Sequence, residues 1–193
     1  HLRVRRISVD QKFQVFDGKG LIANAQMLHE PTDKQTILTL SDIRPDTSLE
    51  SPYALTLIQG LAANEKMDWV IEKAVELGVS QIIPLQMDRS IVRLDDKKAD
   101  KKLSHWEQIV IASCEQCGRS VLPSILAPQT LKQFLQNLPE AQDLLSLYLS
   151  PTADIKLVSV LKRAPGQGMR IMIGPEGGFS PEEDLAIAAK GFT

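Results

Sequence analysis

Cysteine is almost absent from this 193-residue chain: Cys114 and Cys117 are the two it has. A single C-x-x-C cannot supply the disulfide framework that staples small secreted domains. No second cysteine pair and no histidine at zinc spacing accompanies it. No metal centre is therefore expected, and the two thiols read as structural, late in a helical pattern. Aromatic residues are scarce, at 5%; Trp69 and Trp106 have apolar neighbours at helical spacing and read as core or interface rather than as base-stacking platforms. No apolar run approaches the ~18 residues of a membrane-spanning helix. The basic start, Arg3-Val4-Arg5-Arg6, is followed by no apolar h-region, which argues against a secretory signal and makes a cytoplasmic location the simple expectation. No G-x-G-x-x-G follows the first strand pattern, so a Rossmann-type dehydrogenase fares badly. No Ser-His-Asp grouping is legible. The formal net charge of −2 is not the overall basic signature of a polyanion binder. Internal repeats and low-complexity tracts are missing as well.

What is present is an ordinary globular composition, 43% hydrophobic and 24% charged, in a length that allows one sizeable domain or a large domain with a small one. The first segment reads as a small β unit. Phe13 to Phe16 alternates ahead of the turn signal Asp17-Gly18, and Gly20 to Leu28 and Gln35 to Leu40 are further strand-like runs around Pro31-Thr32-Asp33. Arg44 to Pro52 is polar and proline-flanked and reads as a linker. The pattern then changes. Strands are expected at Tyr53–Ile58, Gln81–Leu85, Ser124–Leu126, Leu144–Leu149 and Met169–Ile173. Helices are expected at Glu65–Leu77, 99–117, Leu131–Leu138 and Ile155–Leu161. In the first helix Met67, Val70, Ile71, Ala74, Val75 and Leu77 recur at helical spacing, and Gly78 ends it. In the second, Leu103, Trp106, Ile109, Val110 and Ala112 form the apolar face. Repeated βα units imply a parallel sheet with helices on both faces. The expected organisation is a β domain over residues 1–48 and an α/β domain over residues 49–193.

The richest stretch is Ile171 to Glu183. A buried strand runs into Gly174-Pro175-Glu176-Gly177-Gly178, whose glycines permit a sharp turn and a close backbone approach to a ligand. Ser180 is a good N-cap, Pro181 suits a first helical position, and Glu183 completes a capping box. A strand–glycine loop–helix unit is where open α/β sheets bind ligands. Glu176 would repel a pyrophosphate, which points to a ligand with a cationic or hydrogen-bond-donating part. The plain alternative is a tight strand–helix connection.

Charge is clustered rather than spread. Arg3, Arg5 and Arg6 crowd the start, either as a phosphate grip or as a solvated edge of the β unit. Lys97, Lys98, Lys101 and Lys102 alternate with Asp95, Asp96 and Asp100 and read as a solvated helix start. Glu72 and Glu76 lie one turn apart, and like charges there need a cation between them, for which Arg89 is a candidate.

Four motifs occur together. They are Glu72-Lys73-Ala74-Val75-Glu76-Leu77-Gly78-Val79, Ile83-Pro84-Leu85 with Arg89-Ser90, Glu115-Gln116-Cys117-Gly118-Arg119, and Ile173 to Phe179. In this order and spacing the chain resembles the ribosomal small subunit methyltransferase E family of SPOUT, or trefoil-knot, methyltransferases. The resemblance implies an α/β parallel-sheet fold with a deep trefoil knot behind a PUA-like β-barrel. It implies methyl transfer from S-adenosylmethionine to N3 of a uridine in 16S ribosomal RNA, and a homodimer. The family pattern continues beyond Thr193 with a Leu-Gly…Leu-Arg-Thr-Glu-Thr-Ala-type segment that closes the knot and the pocket.

On this resemblance the cofactor is held by backbone groups of Leu149 with the loop after it, and of Ile173, Gly174, Pro175, Glu176, Gly177 and Gly178. Glu176 would accept from ribose hydroxyls or face the sulfonium. Arg89 and Arg119 would stabilise the uridine anion or grip phosphate, each with a structural ion pair as its plain alternative, to Glu72, Glu76 or Glu115. Glu115 is a tentative base whose alternative is a helix-face carboxylate. Arg3, Arg5 and Arg6 would bind RNA. A non-catalytic RNA-binding module, or a SPOUT enzyme with another target nucleotide, stays open beside this reading.

Overall fold

In a computed structural model of the chain, residues 7–30, 35–138, 144–151, 153, 156–161 and 168–193 are described. The chain divides into two compact units, His1–Glu50 with Gly118–Leu122, and Ser51–Cys117 with Pro123–Thr193. A boundary after residue 48 leaves Gly118–Leu122 in the second domain; the structure places this segment in the first.

The first unit holds a three-stranded antiparallel sheet of β1 (Lys12–Phe16), β2 (Leu21–Met27) and β3 (Leu38–Pro45), in that order. The Asp17 carboxylate builds the first turn by accepting the amides of Lys19 at 2.7 Å and Leu21 at 3.0 Å. These bonds hold its carboxyl below the usual value. Gly18 and Gly20 take φ of 77° and 101°, which side chains avoid. The expected linker is not one at its start, because Arg44 and Pro45 complete β3. Further along, Glu50 is an anchor. Its Oε2 accepts Arg119 Nη2 at 2.7 Å and Arg119 Nε at 3.0 Å, and its Oε1 accepts the Val121 amide at 3.2 Å. The return segment is stitched on by Gly20 N–H to Ser120 O and Leu122 N–H to Gly18 O.

The second unit carries β4 (Ala54–Gly60), α1 (Asn64–Glu76), β5 (Gln81–Gln86), α2 (Asp96–Cys117), β6 (Ser124–Ile125), β7 (Gln129–Thr130), α3 (Leu131–Gln136), β8 (Leu145–Leu149), α4 (Leu157–Leu161), β9 (Gly168–Ile173) and α5 (Pro181–Ala188). Its strands pair in parallel in the order β6-β5-β4-β9-β8, with the short β7, unforeseen in the sequence, on the end of β5. β5 is buried along its centre, as its unbroken apolar run requires of a strand covered on both faces. On one face Ile58, Ile83, Leu85 and Met172 pack with Leu131, Phe134 and Leu135 of α3 and Ile187 of α5. Ile82 points the other way by strand alternation and is fully buried. Helices α1 and α2 pack on each other. In α1 the stripe Met67, Ile71 and Val75 is buried, whereas Leu77 lies 80% exposed just past the helix, against the expectation that it joins the apolar face. The two tryptophans part company. Trp106 is buried and donates Nε1–H to Asp68, while Trp69 is 61% exposed. Cys114 is buried and Cys117 half-buried, and neither is joined in a disulfide. Among the described residues no helix is long and apolar enough to cross a membrane, and no three His, Cys, Asp or Glu side chains gather as metal ligands.

Candidate active site

In a parallel sheet the carboxyl ends of all strands lie along one edge, and here that edge gathers the loops after β4, β5 and β9. The loop after β9 begins with a turn closed by Gly178 N–H to Pro175 O at 2.8 Å, with Gly178 at φ 71°. Phe179 then drops into the core edge-on to Tyr148, ring centroids 5.8 Å apart. This turn is held on three sides.

On the first side stands the end of β4. A Cβ added to Gly60 would lie 2.5 Å from Pro175 N and 2.8 Å from the Gly174 carbonyl carbon, so only glycine lets strand and loop meet. Buried Gln59 beside it donates Nε2–H to Gly60 O at 2.9 Å and Gly174 O at 3.4 Å.

The second side is the loop after β5. Arg89 lays its stem against Gly177, where a Cβ would come within 2.9 Å of Arg89 Cβ. Arg89 Nη1 then donates to Gly177 O at 3.0 Å. Beneath it, the capping box of α5 forms as its spacing foretells, with Ser180 N–H donating to Glu183 Oε2 and Glu183 N–H to Ser180 Oγ. Two further bonds leave the helix. Asp88 N–H donates to Glu183 Oε1 at 2.9 Å, and Ser180 Oγ–H to Asp88 Oδ2 at 2.9 Å. Glu183 is 7% exposed, yet both its oxygens are satisfied.

The third side is α1. Its N-cap, Ala63, has no capping side chain. Glu176 supplies the missing acceptor, taking the Ala63 amide at 3.1 Å and pairing with Lys66 at 3.2 Å. The Ala63 amide, then Glu176's own amide and Lys66, hold this carboxyl below its ordinary value. The carboxylate that looked out of place in a glycine loop thus sits at a helix N-terminus, where negative charge is stabilised.

The structure brings together Leu149 and Ile173, cross-strand partners on β8 and β9, with Gly174 to Gly178 and Arg89. Arg119 and Glu115 have partners of their own. Arg119 is a 5% exposed guanidinium of the first unit, paired with Glu50. Glu115 lies half-buried near the end of α2 and is engaged by a neighbour. Arg3, Arg5 and Arg6 lie outside the described residues. The Glu72–Glu76 pair is bridged not by Arg89 but by Lys73, at 2.8 and 2.9 Å, and both bonds raise the lysine's pKa. Reading the sequence missed Gly60, Gln59 and Asp88. A glycine closing a β-branched strand is the one local signal that could have found Gly60.

Residues 49–193 match the family model described as an RNA methyltransferase domain. A ribosomal RNA small subunit methyltransferase E from Buchnera aphidicola is 32% identical over 190 residues, covering 98% of this chain and 75% of the relative. The chain belongs to the methyltransferase E family. A second methyltransferase E, from Bacillus subtilis, is 30% identical over 168 residues, covering 85% of this chain; the match spans 65% of that relative's length. Among solved structures, a methyltransferase E from Neisseria gonorrhoeae bound to S-adenosyl methionine superposes with a TM-score of 0.88 at 35% identity, covering all of this chain and 77% of that one. The match to the methyltransferase E fold covers both units described above.

Proposed function

We propose that this chain is part of an S-adenosylmethionine-dependent methyltransferase that modifies N3 of a uridine in 16S ribosomal RNA. The observation that carries the proposal is the braced Gly174–Gly178 turn at the carboxyl edge of the sheet, in a fold shared with a relative whose structure holds adenosylmethionine. The turn suits such a ligand. A Cβ at Gly178 would meet nothing within 4 Å, so backbone lies open where a side chain would otherwise stand. Leu149 beside it is 42% exposed. Backbone amides and carbonyls of Leu149 and of Ile173 to Gly178 would hold the cofactor, with bracing by β4, Arg89 and α1 reducing the ordering cost of binding.

When bound, adenosylmethionine supplies an electrophilic methyl group, and the protein's own work is positioning and charge. Uridine N3 is a weak imide acid whose proton must leave before or during attack. Arg89 is exposed and spends one donor on Gly177 O, leaving the rest of its fork for the developing anion or an adjacent phosphate. The Glu50 pair supports a positioning role for Arg119, and Glu115 stays the tentative base. The first unit is the PUA-like RNA-binding domain, with Arg3, Arg5 and Arg6 gripping phosphate. The intact protein is a knotted, cytoplasmic homodimer acting on the small subunit.

The test is full-length protein incubated with methyl-labelled adenosylmethionine and small ribosomal subunits, followed by mapping of the labelled base. Label on one uridine N3 of 16S RNA is the expected result. RNA binding without cofactor affinity would leave a non-catalytic module, and label on another atom would leave a different methyltransferase.

A further inference from the structure

Beside the braced turn, on the face covered by α3 and α5, lies a cleft of about 430 Å³, within the ~300–1,000 Å³ of small-ligand sites. Its floor is apolar, from Met87, Leu131 and Leu135, all buried. Its walls are helical stripes at i, i+4 spacing, Lys132 and Gln136 from α3, and Glu182, Ala186 and Lys190 along and just past α5. Arg93, Lys132 and Lys190 are exposed cations of the lining. Arg93 leans on Asp88 O at 2.6 Å, and among the described residues neither Lys132 nor Lys190 has a carboxylate partner. Of the acids, Glu183 is turned inward onto two amides and Asp88, itself exposed, gives one oxygen to the Ser180 hydroxyl, which leaves Glu182 and the second Asp88 oxygen open beside the three cations.

We propose that this cleft seats an unstacked nucleotide of the substrate RNA, flanking the one that is methylated; the inference rests on the RNA methyltransferase reading above. An apolar floor with polar walls suits a nucleobase, which needs a surface for its face and partners for its edge. Lys132 and Lys190, without a carboxylate partner among the described residues, suit the phosphates on either side of it. The position also fits. Asp88 lines the cleft while Arg89, the next residue, holds the glycine turn, so the two places adjoin along one short loop. RNA whose target lies at Arg89 would present its neighbour to the cleft.

Two variants of the full-length protein test this against small-subunit RNA at several salt concentrations. Lys132→Glu with Lys190→Glu is expected to weaken RNA binding at least tenfold. It should also flatten the log–log salt slope by about 1.4, two phosphate contacts at ~0.7 each. Ala186→Phe, which fills the cleft without changing charge at an exposed helix position, is expected to weaken binding about fivefold with the slope unchanged. Lys97→Glu with Lys101→Glu makes the same charge change on exposed α2. Wild-type RNA affinity for Ala186→Phe, or an equal loss in the α2 control pair, would overturn the proposal. Calorimetry with adenosylmethionine reads the parent assignment separately. The cleft variants should keep wild-type cofactor affinity, whereas a wild-type protein that binds no cofactor defeats the methyltransferase reading by a different measurement.

Discussion

Helix α3 opens with Thr130 and Gln133 in a capping box, and α5 opens with Ser180 and Glu183 in the same arrangement. In α3 the box closes on itself. One oxygen, Gln133 Oε1, takes both the Thr130 amide at 3.0 Å and the Thr130 hydroxyl at 2.9 Å. In α5 the same parts are opened outward. Glu183 gives one oxygen to Ser180 N–H and the other to Asp88 N–H, and the Ser180 hydroxyl proton goes to Asp88 as well. The difference explains the residue types. A local box needs one acceptor, which an amide provides. A box that joins two loops while buried needs two acceptors, which a carboxylate provides and an amide does not. Helix α1 is the third case: lacking a cap of its own, it borrows Glu176 from 113 positions away. Local capping makes helices; long-range capping binds the loops of the carboxyl edge into one site.

The comparison breaks most visibly if the edge is forced apart. Gly60→Ala sets a methyl against backbone atoms of Pro175 and Gly174, not against the yielding end of a side chain. Overpacking of this kind costs about 3 kcal/mol. Urea denaturation of the full-length protein should show that loss, together with weakened adenosylmethionine binding. Unaltered stability would mean that the strand and the turn are not in contact.

Glu183→Gln comes next. The amide keeps one acceptor and turns a donor toward either the Asp88 or the Ser180 amide, leaving a buried donor unpaired. A cost of about 2 kcal/mol is expected, measured by chemical denaturation. A loss below about 0.5 kcal/mol would show that the bridge to Asp88 adds nothing to the local box.

The two capping boxes also show how far a sequence can be read. Ser180, Pro181 and Glu183 lie within four residues, and Met67, Ile71 and Val75 repeat with the helix, so spacing alone reveals what they do. Gly78, at φ 88°, ends α1 for a similarly local reason. Asp88 with Glu183, Glu50 with Arg119 and Gln59 with Gly174 are 95, 69 and 115 positions apart. Such contacts leave no periodic trace. The same limit hid the exposure of Trp69, whose helical spacing resembles that of buried Trp106, and misplaced the cation between Glu72 and Glu76. The glycine turn between β9 and α5 was legible from its residues, whereas the three braces that hold it were not.

Glu176 sharpens the third case through pH. Its pKa is depressed in the folded state, so its contribution is fully present above the ordinary glutamate value of ~4.3 and is lost as pH falls through the lower, folded value. Glu176→Ala should cost about 1 kcal/mol near neutrality, the worth of a helix cap. That difference from wild type should shrink on acidification below pH ~4. A difference independent of pH would place the carboxylate's role outside the cap.

Gln133→Ala is the smallest expected effect and the sharpest test of the contrast. The residue is exposed, its acceptor serves Thr130 alone, and the Thr130 hydroxyl still caps the Gln133 amide at 3.2 Å after the change. Water can replace the lost acceptor at both Thr130 donors, so about 0.5 kcal/mol is expected, the low end of capping effects. Denaturation midpoints of this variant and Glu183→Gln, measured side by side, should differ several-fold in free energy. If the two losses were equal, the outward bonds of α5 would carry no stability of their own, and the carboxyl-edge loops would have to be joined by packing rather than by the Glu183 carboxylate.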